Sequence, residues 1–288
     1  MSNIIGHRKN LETLSKIIND RSIHNSFIFW GPESIGKFTI AKTFADNLAC
    51  STSKWTISNN INGDVFVVEP ERVEKKKKIV IRDISIDAIK EANKWAATAP
   101  IGDAKVLIIN DAHRMTTSAQ NALLKNLEEP REKRFIILVT NSSDALLATI
   151  KSRCFDLQFD IVGDAELTSK YENNEFLKDI NGRPGFLSRI DNDEEFKEIV
   201  EFARESLQGF FQTSISERMK LADELSKKDD EYLNIFFQIW IYRIWAAAHK
   251  TKKFNLLKLS DKVEDVMNKM QNTNVNKKLI LEDLFINM

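Results

Sequence analysis

The stretch Phe27-Ile28-Phe29-Trp30-Gly31-Pro32-Glu33-Ser34-Ile35-Gly36-Lys37 decides the fold. Its first four residues are an apolar run of strand length, and Gly31-Pro32 ends that run. Residues 38–48 continue with good helix formers and an apolar stripe at Phe38, Ala41, Ala45 and Leu48. Strand, glycine loop and helix therefore follow in order. Gly31, Gly36 and Lys37 have the spacing Gly-x-x-x-x-Gly-Lys of a phosphate loop, where glycines let backbone amides point inward and the lysine reaches terminal phosphates. Such a loop ordinarily goes on to Ser or Thr, whose hydroxyl holds Mg²⁺. Here Phe38 takes that position, and Thr39 comes one residue late, about 100° further round the helix.

On the N-terminal side, Leu11, Leu14, Ile17 and Ile18 have helical spacing. On the C-terminal side, residues 65–68, 106–109 and 135–139 are apolar runs, and they alternate with helical patterns at 85–97 and 117–127, the latter closed by Glu128-Glu129-Pro130. Strands apolar on both faces that alternate with helices predict a parallel sheet covered on both sides. Residues 73–81 form a charged excursion in which Lys75 to Lys78 is expected to be a solvated loop or hairpin tip. Beyond about residue 160 the patterns at 195–211, 216–225, 232–248, 256–270 and 276–286 are all helical, with Gly182-Arg183-Pro184-Gly185 as the strongest punctuation. The expected division is an α/β domain over 1–159, a small helical domain over 160–192 and a helical C-terminal domain over 193–288.

Composition narrows the function classes. Forty-two Lys and Arg balance 42 Asp and Glu, which argues against an autonomous nucleic-acid binder driven by global charge. Cys50 and Cys154 are far apart without Cys-x-x-Cys spacing, so neither a disulfide framework nor a metal site is expected, and a reducing cytoplasm fits. The four histidines, His113 among them, show no metal-ligand spacing and no nucleophile partner. Residues 1–8 lack an apolar run behind a basic start, so no signal peptide is expected. Residues 232–248 are strongly apolar, but Asn234, Gln238 and Arg243 interrupt them and they fall short of the roughly 20 residues that cross a bilayer. A helix buried among several neighbours, not a membrane span, is the expectation.

The run 106–109 leads into Asn110 and Asp111, where a nucleotide hydrolase would place an Asp to position the metal and a Glu to polarise water. The amide removes charge that Mg²⁺ prefers, and the shorter carboxylate stands about one methylene too far back. Together with Phe38, these departures predict a pocket that binds ATP or ADP weakly or not at all, without productive Mg²⁺.

Residues 108–115, Ala119-Gln120-Asn121-Ala122-Leu123-Leu124-Lys125-Asn126-Leu127-Glu128-Glu129-Pro130 and residues 146–154 together resemble the bacterial sliding-clamp loader subunits of the AAA+ superfamily. The resemblance implies an AAA+ (P-loop NTPase-like) parallel-sheet domain, a small helical lid and an all-helical collar that packs against other subunits through the helix holding Trp240 and Trp245. Within that family the chain resembles the delta-prime kind of DNA polymerase III subunit more than the ATP-hydrolysing tau/gamma kind, which carries a complete phosphate loop, an Asp-Glu pair and a four-cysteine zinc module. By the same resemblance, Arg153 of Ser152-Arg153-Cys154 is an arginine finger that projects into a neighbouring subunit's ATP site, and Thr140 and Asn141 hold the sensor position. The family's lid arginine falls near Gly185, close to Arg183, and is expected to be lost. Implied partners are tau/gamma and delta subunits, the sliding clamp and, through the assembly, primer-template DNA. Two other readings stay open from the residues: an active ATPase that uses Thr39 and Asp111, and a stand-alone DNA-binding module.

Overall fold

A computed structural model describes residues 4–20, 24–50, 63–75, 78–172, 174–272 and 275–288. It divides into two compact units, Met1–Glu166 and Leu167–Met288.

In the first unit the elements run α1 (Arg8–Asp20), β1 (Ser26–Trp30), α2 (Lys37–Ala49), β2 (Val65–Val68), β3 (Arg72–Lys75), β4 (Lys78–Ile81), α3 (Ile86–Ala97), β5 (Lys105–Ile109), α4 (Thr117–Glu128), β6 (Arg134–Thr140), the short α5 (Ala148–Lys151) and β7 (Phe155–Gln158), after which α6 (Asp164–Lys170) begins. Five strands form a parallel sheet in the order β2-β5-β6-β1-β7, and β3 with β4 makes a separate antiparallel hairpin. The charged excursion is thus that hairpin; Lys76 and Lys77 lie outside the described residues.

Side chains alternate between the two faces of a strand, so an all-apolar strand must feed two cores. Phe27, Phe29, Val106, Ile108, Ile137 and Val139 enter one core with Leu14 of α1 and Ile40, Ala41 and Phe44 of α2. Ile28, Leu107, Ile109, Ile136 and Leu138 enter the other with Ile89 of α3 and Leu123 of α4. The parallel α/β sheet with helices on both faces is as the sequence predicts. β7 is the strand that pattern reading passes over: Phe155-Asp156-Leu157-Gln158 lies at the sheet edge and buries only alternate residues, so no continuous apolar run marks it.

The second unit is helical: α7 (Pro184–Asn192), α8 (Glu194–Phe210), α9 (Ile215–Ser226), α10 (Asp230–Thr251), α11 (Leu257–Asn272) and α12 (Lys277–Ile286). The punctuation around residue 182 is a turn followed directly by a helix. Asn181 and Gly182 take positive φ (40° and 75°), and Pro184 opens α7, where a missing N–H costs nothing. Residues ahead of α8 are tied to α10: Arg243 pairs with the fully buried Asp179, and the Arg183 guanidinium lies 4.0 Å from the Tyr242 ring centroid.

α10 is apolar nearly all round because helices surround it. Trp240 is wholly buried, with Phe210 and Phe285 at ring-centroid distances of 5.0 and 5.6 Å and its indole N–H donating to Ala203 O at 2.9 Å. The Trp240 ring is thus consumed by the core of its own unit, whereas Trp245, five residues further along α10, is 43% exposed. Among the described residues no helix is long and apolar enough to cross a membrane.

Candidate functional site

The loop between β1 and α2 is shaped by two glycines with different tasks. Gly31 has φ +144°, and a Cβ there would fall 2.0 Å from the carbonyl oxygen of Phe159, so the close passage of the chain beyond β7 admits only glycine. Gly36 has φ +96° in open space and hands the backbone into α2, where its carbonyl accepts the first helical bond from Ile40 N at 3.0 Å. Ser34 also takes positive φ (61°).

Lys37, at the start of α2, is 5% exposed. Its ammonium donates to Gly31 O (2.7 Å), Pro32 O (2.5 Å) and Asn141 Oδ1 (3.1 Å), three acceptors that offset the desolvation of its charge. Of the two sensor candidates at the end of β6, Asn141 thus reaches the loop lysine. Thr140 does not join them through its hydroxyl, which donates to Ser142 O at 2.8 Å and accepts from Ser142 N at 3.2 Å. Phe38 is packed against the core cluster beneath α2, with the Lys42 ammonium 4.2 Å from its ring centroid. Thr39 is exposed.

At the end of β5, Asn110 Nδ2 donates to Glu69 Oε1 at 3.0 Å. Asp111 takes a left-handed conformation (φ 50°) and leads into a 3-10 turn, Ala112–Arg114. His113 in that turn is kept neutral by burial, which lowers its pKa, and its Nδ1 is buried without a hydrogen-bond partner. These residues do not fit a magnesium ion. Position 38 offers a ring, and the Asn110 amide, an uncharged group, is bonded to Glu69.

Arg153 follows α5 at the surface. One guanidinium nitrogen lies 3.1 Å from Glu128 Oε1, at the end of α4, while Nη1 donates to Thr149 O at 2.9 Å and Ser152 Oγ at 3.3 Å. The fork is held in one orientation by groups of its own unit. Neighbouring Cys154 is inert as a nucleophile, since burial pushes its thiol up to about 12.

Pattern reading missed two participants. His7 places Nε2 2.9 Å from Ile35 O and meets Phe159 edge-on at 5.2 Å, tying the segment before α1 to the phosphate loop; burial lowers its pKa. Gly6-His7, both with positive φ, was the available signal for a turn ahead of a helix. Glu128 was legible only as part of Glu-Glu-Pro; its pairing with Arg153 spans 25 residues and is a product of the fold.

A parallel sheet in this strand order, with a glycine loop between the strand next to its edge and the following helix, defines an α/β domain built around a phosphate-type loop. A family model described as "DNA polymerase III, delta subunit" matches residues 6–163, over half of the chain, and the chain belongs to that family. The DNA polymerase III subunit delta' of Pseudomonas aeruginosa is 32% identical over 142 residues, covering 45% of this chain and 41% of that protein. The DNA polymerase III subunit gamma of Buchnera aphidicola subsp. Schizaphis graminum is 27% identical over 191 residues, 63% of this chain and 49% of that protein. The matched region therefore spans less than half the length of these curated relatives. The crystal structure of a gamma subunit-related protein from Thermotoga maritima shares the fold, with a TM-score of 0.56 at 21% identity over 96% of this chain and 97% of that one.

Proposed function

We propose that the chain is a clamp-loader subunit of the delta-prime kind, which does not hydrolyse ATP and supplies Arg153 to ATP held by a neighbouring subunit. The observation that carries this reading is Phe38: the residue after the loop lysine is an aromatic ring packed against the core, where a metal-holding hydroxyl would stand. The lysine bonded to Gly31, Pro32 and Asn141, and Asn110 bonded to Glu69, support an idle pocket. In this reading ATP or ADP lodges weakly at most, without productive Mg²⁺.

Arg153 can act in trans because it is at the surface and already oriented. A guanidinium keeps its charge and forks two hydrogen bonds to phosphate oxygens, which stabilises charge that develops on a transferring phosphoryl group. Glu128 and Thr149 O position it until phosphate oxygens replace the carboxylate. In the same reading residues 160–192 act as the lid and residues 193–288 as the collar, in a cytoplasmic assembly with tau/gamma and delta subunits that loads the sliding clamp onto primer-template DNA.

The test is ATP turnover by the reconstituted loader. Arg153→Ala should slow it by about 10³-fold or more while this chain's melting temperature stays put. Lys37→Ala should leave turnover unchanged. Hydrolysis by the isolated chain that is abolished by Lys37→Ala would instead establish an active ATPase, and an unchanged rate with Arg153→Ala would remove the finger.

A further inference from the structure

The end of α10 and the start of α11 concentrate features that the reading above does not use. Residues 245–258 contain Trp245, His249, Phe254 and the lysines Lys250, Lys252, Lys253 and Lys258, with no Asp or Glu among them, in a chain whose total charge is zero. All four lysines are exposed, and none makes an ion pair or hydrogen bond through its side chain among the described residues. Elsewhere in the same unit Lys227 and Lys278 share Asp223, and Lys277 pairs with Asp230. The next carboxylate along the chain is Asp261, one turn into α11 from Lys258.

The aromatic residues are exposed as well. Phe254 is 60% exposed, and the rings run as a short ladder: Trp245 to His249 at 5.3 Å and His249 to Phe254 at 6.1 Å between centroids. Lys252 closes α10 in the left-handed conformation (φ 55°), and the 3-10 turn Phe254–Leu256 then presents Phe254 beyond the helix end. A solvated face ordinarily intersperses both signs of charge and exposes large apolar residues singly, while the centre of a protein-protein contact is depleted in lysine. Unpaired lysines interleaved with exposed rings are what single-stranded nucleic acid requires: cations for phosphates and flat faces for unpaired bases.

We propose that this patch binds single-stranded nucleic acid, with Lys250, Lys252 and Lys253 on the phosphates and Trp245 and Phe254 stacked on bases. The proposal is independent of Arg153 and needs no ATP. It is tested with the full chain by fluorescence anisotropy, using labelled oligo(dT) of about 20 nucleotides, longer than one binding footprint. Binding should weaken with salt, and the triple variant Lys250→Ala/Lys252→Ala/Lys253→Ala should flatten the slope of log affinity against log salt by about 2. Phe254→Ala should weaken binding by about 5- to 150-fold, with Phe254→Trp restoring it. The control triple Lys9→Ala/Lys16→Ala/Lys94→Ala on the first unit should bind like the parent. All the substituted patch residues are exposed, and a circular dichroism melt of each variant verifies folding. Absence of binding at low salt, a patch triple no weaker than the control triple, or equal affinity for duplex of the same length with no effect of Phe254→Ala would each overturn the proposal. So would patch variants that keep oligonucleotide binding and lose only association with other loader subunits, since the face would then be a protein contact.

Discussion

His7 and His113 are both held neutral by burial, and each makes the fold sensitive to acid. The unfolded chain protonates such a group near its ordinary value of 6.5, whereas the folded chain does so only at lower pH. The unfolded state therefore binds more protons once pH falls below about 6.5, so stability present above that value is lost as pH falls toward the lowered folded value. The melting temperature should drop between pH 7.5 and 5.5, and His7→Gln should flatten part of that dependence. A drop that His7→Gln leaves unchanged would assign the effect elsewhere. Arg153 makes a different residue-level prediction. Its pairing with Glu128 is partly exposed, so Glu128→Gln should change stability by about 1 kcal/mol or less in a urea titration, because water screens such pairs.

At the scale of elements, the loop between β1 and α2 separates two kinds of glycine requirement. Gly31→Ala drives a methyl into the Phe159 carbonyl and should cost at least about 3 kcal/mol or prevent folding. Gly36→Ala meets no atom and should cost only about 1–2 kcal/mol, the strain of a left-handed residue. Denaturant titrations of the two variants compare these costs, and equal losses would refute the distinction. The same loop shows what sequence can disclose. Doubly buried strands announce themselves as unbroken apolar runs, and helix starts by their stripes, so β1, β2, β5 and β6 were readable within a residue of their ends. β7 was not, because an edge strand need bury only one side. The meeting of Lys37 with Asn141, 104 residues apart, rests on β1 and β6 being neighbours in the sheet, and the sensor position suggested it without fixing which of Thr140 and Asn141 takes part. His7 against Ile35 and Glu128 against Arg153 had no local pattern to betray them.

For the molecule as a whole, each unit stands on its own core, and the second depends on one indole. Trp240→Ala should cost about 3–5 kcal/mol through the void it leaves among Phe210, Phe237 and Phe285 and the lost bond to Ala203. Equilibrium unfolding of the full chain, followed by far-UV signal, measures it; a loss below about 1 kcal/mol would mean that the core collapses around the gap. Phe38 ties the first unit's chemistry to its architecture in a less obvious manner. Exchanging that ring for a hydroxyl would recover a metal ligand only by surrendering packing under α2, so the step back is uphill before any benefit arrives. On the proposed function, descendants of this chain are thereby steered toward keeping that pocket silent, a one-way evolutionary ratchet cut by the hydrophobic core itself.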